Sequence, residues 1–109
     1  MQGFPDAAVF EAWLRAKGGQ MVGNAGSCRA CPLALFLDET VGGTWCVGAL
    51  LFWQEGTQCF GSLPAWARRF MAAVDAVECL DGADCAVSGY QARTLLALAL
   101  ADAEERLLF

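Results

Sequence analysis

The chain has 109 residues, a length that fits a single domain over residues 1–109 and leaves no room for a second independent core. Its hydrophobic fraction of 57% is high and its charged fraction of 17% is low, so one copy of so small a domain cannot hide all of its apolar surface. The net charge of -5 with few clustered cations argues against nucleic-acid binding, and the absence of histidine excludes Ser-His and Cys-His nucleophile pairs.

The first helix is predicted near residues 6–17. A Pro-Asp pair precedes it, apolar residues follow at helical spacing, and the Gly-Gly pair at 18–19 ends it. The loop that follows has room for a short strand at Met21-Val22. The apolar stripe of this helix consists of Phe10, Trp13 and Leu14.

The second helix is predicted to carry Pro32 in its first turn, where the missing N–H costs little. Either Ser27 or Cys31 can cap it. It should end near Asp38–Thr40, before two consecutive glycines. One face of this helix is formed by Ala30, Leu33, Ala34 and Leu37.

Residues 44–60 have the character of β-strands. The segments 44–47 and 50–53 are short, β-branched and aromatic, and glycines bound them. A turn at Glu55-Gly56 can lead the chain back into residues 57–60 and make a hairpin. This stretch therefore predicts a small antiparallel sheet of two to four short strands.

Two further helices are predicted in the second half of the chain. The third begins near residues 62–64 and is expected to pack against the first helix. An acidic loop at 78–84 separates it from a last helix, which Ser88 caps and which runs from Gly89 to about Leu107. The apolar stripe of the third helix consists of Trp66, Phe70, Ala73, Val74 and Val77. These patterns together predict an α+β fold of about four helices packed with the small sheet.

Two segments carry a resemblance to known sequences. The run Cys31-Pro32-Leu33-Ala34 and the later run Leu63-Pro64-Ala65-Trp66 make the chain similar to a set of small bacterial proteins with a Cys-Pro-Leu-Ala helix and a Leu-Pro-x-Trp helix. No function is assigned to that set. The resemblance therefore implies no activity.

Cys28 and Cys31 form a C-x-x-C motif at a helix start. First-turn amides and the helix dipole can stabilise a thiolate there, which is the basis of thiol–disulfide exchange. The flanking sequence lacks the strand–motif–helix context of a thioredoxin unit. Cysteine is also one of the most buried residue types and often only packs. A thiol-redox enzyme or switch built on Cys28 and Cys31 is therefore an alternative.

A structural metal site is a second alternative, with Cys28 and Cys31 as one half and Cys46 and Cys59 as the other. The second pair is split by twelve intervening residues, unlike the second knuckle of a zinc ribbon. We therefore expect no metal. The remaining cysteines, Cys79 and Cys85, are expected to be separate thiols. The acids Glu78, Asp81 and Asp84 are expected to form a solvated loop.

Four aromatic residues of the predicted sheet could line an apolar pocket, with Glu55 or Asp38 nearby to attract a cation. The simpler interpretation is that they form the core of the sheet, and we prefer it. The candidate pocket residues are Trp45, Phe52, Trp53 and Phe60.

The last helix is apolar on several sides. One face can serve the monomer core, and Leu95 and Leu98 then lie well round the cylinder where few elements remain to cover them. Ala97 and Ala101 would allow a neighbouring helix to approach closely. A two-fold axis is the usual way to cover such a surface, so we expect a homodimer with Leu95 and Leu98 at its interface. The predicted core face consists of Ala92, Leu96, Ala99, Leu100, Ala103 and Leu107.

The sequence as a whole favours a non-catalytic binding or assembly protein that acts through an apolar surface. The partner is expected to be a second copy of the chain or another protein, not nucleic acid or a membrane. No signal peptide is visible and no apolar run is long enough to span a bilayer, so a cytoplasmic location with reduced cysteines is expected. No cofactor is indicated. The thiol-redox and metal-binding alternatives remain open.

Overall fold

The computed structural model describes residues 4–25, 27–77 and 86–107, with side chains as far as residue 101. The helices in these ranges are α1 (Ala7–Lys17), α2 (Pro32–Thr40), α3 (Ala65–Asp75) and α4 (Gly89–Leu107). The strands in these ranges are β1 (Met21–Asn24), β2 (Trp45–Val47), β3 (Leu51–Gln54), β4 (Phe60–Ser62) and β5 (Ala86–Ser88). The predicted α+β class with about four helices is confirmed.

The strands are divided between two antiparallel sheets. β2, β3 and β4 form a three-stranded meander, with β3 in the centre. β1 pairs with β5, although α2, the meander and α3 lie between them in the sequence. The sequence patterns predicted strands around β1 and within the meander, but not β5. A three-residue segment that ends on the helix cap gives no strand signal of its own, and only the long-range pairing makes it a strand.

The hairpin of β3 and β4 is present, but its second strand lies at Phe60–Ser62 and not at residues 57–60. The Thr57 hydroxyl donates to the carbonyl of Gln54 at 3.1 Å and accepts from the amide of Cys59 at 3.1 Å. Pairing starts beyond this loop, where the Gln54 amide donates to the Cys59 carbonyl at 2.9 Å. A longer loop stabilised by Thr57 therefore replaces the tight turn that the sequence suggested.

α1 and α2 have nearly the bounds that their sequence patterns predicted. The backbone of Asp6 is extended just before α1, and Gly18 ends the helix with a φ of 58°. An L side chain rarely adopts this φ, and the Gly18 amide there donates back to the carbonyls of Leu14 and Arg15. α2 begins with Pro32 and ends at Thr40, within the predicted end region.

The core is centred on the fully buried ring of Phe10 in α1. Its centroid lies 5.0 Å from those of Phe36 in α2 and Phe70 in α3, both in edge-to-face contact, and 5.7 Å from that of Trp66. Such arrangements are favourable because the positive edge of one ring meets the negative face of another. The predicted contact between α1 and α3 is therefore confirmed for Phe10. The main helix neighbour of both α1 and α3, however, is α4.

A reciprocal capping box begins α4. The Ser88 hydroxyl accepts from the Gln91 amide at 3.1 Å, and the Gln91 side chain accepts from the Ser88 amide at 3.0 Å. The Gly89 amide donates to the carbonyl of Gln20 at 2.9 Å. The predicted start and cap of α4 are confirmed. The bond from Gly89 to Gln20 attaches the start of the helix to the turn before β1.

The core face of α4 is narrower than predicted. Ala92, Leu96 and Ala99 are buried, as expected. Leu100 was predicted on the same face, but 36% of its surface is exposed, because one residue beyond Ala99 already turns the side chain away from the core. The two remaining predicted members, at positions 103 and 107, lie beyond the described side chains. Nowhere in the described ranges is a helix both long and apolar enough to cross a membrane.

Candidate functional site

Cys31 is built into the start of α2 as a cap. It is fully buried, and its sulfur accepts a hydrogen bond from the Ala34 amide at 3.4 Å. Burial raises the pKa of the Cys31 thiol to about 11, and the amide hydrogen bonds that favour the thiolate offset this only in part. A thiol that stays protonated at neutral pH is a poor nucleophile. The start of α2 therefore uses Cys31 for structure and does not activate it.

Cys28 lies outside α2 on an exposed turn. Its side chain interacts with that of Cys46 in β2 and contributes to the raised pKa of the Cys46 thiol, so these two thiols are neighbours. The Val47 amide donates to the Cys28 carbonyl at 2.8 Å, which fixes this segment beside β2. Cys28 therefore has a thiol neighbour, Cys46, that lies outside the C-x-x-C motif.

Cys46 in β2 is buried, with only 2% of its surface exposed. Desolvation by burial is the main cause that raises the pKa of the Cys46 thiol, and the nearby Cys28 and Glu55 act in the same direction. The Arg29 guanidinium opposes them. Arg29 and Glu55 themselves form an ion pair that joins this segment to the loop after β3. Glu55, which the sequence suggested as an attractor for a cation, is therefore already paired.

The proposed four-cysteine metal set does not come together. Cys59 packs against the hydrophobic core, whereas Cys46 is buried outside that cluster. Among the residues that the structure describes, no group of three or more His, Cys, Asp or Glu could hold a metal ion. The predictions for Cys79, Cys85 and the acidic loop at 78–84 lie outside the described residues.

The four aromatic residues of the candidate pocket divide between the two faces of the meander. Trp45 and Phe52 are buried in the core with ring centroids 6.0 Å apart. Trp53 and Phe60 are cross-strand neighbours on the opposite face, where 38% and 74% of their surfaces are exposed. Because side chains alternate across a strand, consecutive residues such as Phe52 and Trp53 cannot line one pocket. The interpretation that these aromatic residues form the core of the sheet therefore holds for Trp45 and Phe52, but not for Trp53 and Phe60.

The exposed face of the meander is apolar. Trp53 lies directly opposite both Cys46 in β2 and Phe60 in β4. Leu51 is on the same side of β3 by strand alternation and is 48% exposed, and the adjacent Leu50 is 62% exposed. We call Leu51, Trp53 and Phe60 the outer sheet face. The contact between Cys28 and Cys46 lies at one margin of it.

A second apolar surface runs along α4. Leu98 is 60% exposed, as predicted, whereas Leu95 is half-buried and packs against the core. Five exposed, uncharged residues at i, i+4, i+7, i+8 and i+11 follow one side of the helix. This α4 stripe consists of Tyr90, Thr94, Ala97, Leu98 and Ala101. Sequence reasoning found Leu98 and the two alanines, but missed that Tyr90 and Thr94 continue the same side.

A groove of about 670 Å³ lies between α1 and α4, and Tyr90, Thr94 and Ala97 of the α4 stripe form part of its lining. Ala7, Ala8 and Leu100 give it apolar walls. Its charged members are Glu11 and Arg93, whose Oε1 and Nη2 atoms are 3.9 Å apart. The lining of this groove is therefore mainly apolar, with one ion pair in it.

No family model matches the chain, and no curated protein or solved structure does either. The evidence for a function consequently comes from the two apolar surfaces and the thiol contact.

Proposed function

We propose that this protein is a non-catalytic binding and assembly protein that associates with a second copy of itself through α4. The observation that carries this proposal is the α4 stripe, an exposed and uncharged surface on three turns of a helix whose opposite side is buried. Contiguous exposed apolar surface on a small protein is typical of an interaction site.

The side chains of the α4 stripe suit helix–helix packing. Ala97 and Ala101 are small enough to let a second helix approach closely, while Leu98 and Tyr90 supply large surfaces to bury. A two-fold axis would place the stripe of one copy on the same stripe of the other, which is the commonest closed arrangement. The five residues of the stripe are uncharged, so two copies that meet there do not bring like charges into direct contact.

The outer sheet face supports a second contact, with another protein. Its exposed Trp53 and Phe60 are large aromatic side chains of the kind that anchor interfaces.

The proposal also places the protein in the cytoplasm, where thiols stay reduced. It assigns neither nucleic acid nor a membrane as partner.

A pair of matched substitutions tests self-association through α4. Leu98→Glu places a charge in the α4 stripe, and Met21→Glu places the same charge on β1, at a side chain that is 66% exposed. Sedimentation equilibrium should show Leu98→Glu as a monomer at concentrations where the wild type and Met21→Glu are dimers. Circular dichroism confirms that both variants are folded. Equal masses for all three proteins would contradict the proposal, and so would dissociation caused by Met21→Glu alone.

A further inference from the structure

The thiol pairing in the structure differs from the pairing that the sequence motif suggests. Cys31 is fully buried and its sulfur caps α2. Cys28 lies outside the helix, and its thiol meets that of Cys46, which comes from a different element. Two neighbouring thiols can be oxidised to a disulfide when their backbones already lie at a suitable distance.

The backbone on both sides of this contact is fixed. The Cys28 carbonyl accepts from the Val47 amide at 2.8 Å, which places Cys28 beside β2. The turn that carries Cys28 is itself held, because the Ala30 amide donates to the Ser27 hydroxyl at 3.1 Å. The bond between Cys28 and Val47 joins Cys28 to the residue that follows Cys46, so the two cysteines lie on adjoining backbone segments, as a disulfide between them requires.

The two thiols differ in their access to solvent. Cys28 is exposed, so a small disulfide in solution can reach its sulfur. Cys46 is only 2% exposed. Arg29 next to Cys28 is also exposed, and its ion pair with Glu55 holds the segment in place beside the loop after β3. Cys28 is therefore the attacking thiol and Cys46 the resolving one.

We infer that Cys28 and Cys46 form a thiol–disulfide exchange site that glutathione disulfide oxidises to an intramolecular disulfide. The Cys28 thiolate attacks one sulfur of glutathione disulfide, the bond between its sulfurs breaks, and one glutathione thiolate leaves. Cys46 then gives its proton to solvent and attacks the sulfur of Cys28, and the second glutathione leaves. Two protein thiols are oxidised and one glutathione disulfide is reduced to two glutathiones, so atoms and electrons balance.

The disulfide would tie the segment before α2 covalently to β2 at the margin of the outer sheet face. Trp53 lies directly opposite Cys46 across β2 and β3. Oxidation would therefore change the surroundings of an exposed aromatic side chain of that face. This inference does not depend on dimerisation through α4, because the thiols and the α4 stripe lie on different elements.

The full chain carrying Cys79→Ser and Cys85→Ser is incubated with glutathione disulfide and analysed by intact mass, thiol titration and peptide mapping. The parent protein should lose two of its four remaining thiols, retain no glutathione and yield a peptide that links Cys28 to Cys46. Cys46→Ser should instead retain one glutathione on Cys28, because the resolving thiol is gone. Cys59→Ser is the matched control and should behave like the parent.

Three outcomes would overturn the inference. The first is a disulfide that maps to Cys28 and Cys31, the second is a parent protein that keeps glutathione on Cys28, and the third is a parent protein that loses no thiol. Even if Cys46→Ser fails to fold, peptide mapping of the parent protein shows which two cysteines are linked. Dithiothreitol should restore the four thiols, since exchange is reversible.

Discussion

At Cys31, helix capping and burial act on the same sulfur atom. The sequence identified this residue as a candidate cap and as a candidate reactive thiol. Only the first role depends on local geometry, and it is present: the sulfur accepts from the Ala34 amide. The second role depends on the surroundings of the thiol, and burial in the core raises its pKa. Residue spacing carries no information on that burial.

The cap can be tested by two substitutions of Cys31. Serine keeps an acceptor for the Ala34 amide, whereas alanine leaves that buried amide without its partner. We expect Cys31→Ala to lower the free energy of unfolding by about 1–2 kcal/mol and Cys31→Ser to lower it by less. Urea denaturation followed by circular dichroism measures both. Equal losses for the two variants would show that the hydrogen bond to the sulfur contributes nothing.

The raised pKa of Cys31 predicts a loss of stability at alkaline pH. Its pKa is about 11 in the folded protein and 9.0 in the unfolded chain, so between these values the folded state binds more protons. Stability therefore falls as pH rises from 9 to 11, by roughly 2–3 kcal/mol at most from this thiol. The other titratable groups that act on the Cys31 thiol are Cys28 and Asp75, and both raise its pKa.

Cys31→Ser is the control for this pH dependence, because a hydroxyl does not ionise in that range. Denaturation curves of the wild type and Cys31→Ser at several pH values should converge or cross as pH rises from 9 to 11. If the difference between the two proteins is constant over that range, the Cys31 thiol is not the cause.

Among the elements, helices were predictable and part of the sheet was not. Glycines, Pro32 and Ser88 mark helix ends locally, so α1, α2 and α4 begin and end close to their predicted positions. β5 is a strand only because β1 lies beside it, and β4 is displaced by bonds of Thr57 within its loop. Pairing between distant segments leaves little trace in either sequence, which is why these strands were missed or shifted.

The packing of α3 can be tested at two of its aromatic residues. Phe70 is fully buried against Phe10, whereas Trp66 is half-buried and touches the rings of Phe4 and Phe10. Phe70→Ala should therefore cost about 3–5 kcal/mol, and Trp66→Ala should cost less despite removing a larger side chain. Chemical denaturation of both variants gives the comparison. A larger loss for Trp66→Ala would mean that Trp66 and not Phe70 is the main contact of α3 with α1.

Over the whole molecule, the high apolar content of the chain appears as two exposed surfaces. Composition predicted that one copy could not bury all of its apolar residues, and the α4 stripe and the outer sheet face hold several of the exposed ones, while Val9, Met21 and Val41 are exposed elsewhere. Helical periodicity located Leu98 correctly, but placed Leu95 beside it although Leu95 packs on the core. The contact between Cys28 and Cys46 was not predicted, because it depends on how the segment before α2 lies against β2.

The molar mass of the unmodified protein tests self-association through an apolar surface most directly. Size-exclusion chromatography with light scattering, from low to high micromolar protein under reducing conditions, should give about twice the chain mass of 11.6 kDa. Reducing conditions keep the cysteines from forming disulfides between copies. A folded protein that has the mass of one chain throughout this concentration range would contradict the proposal.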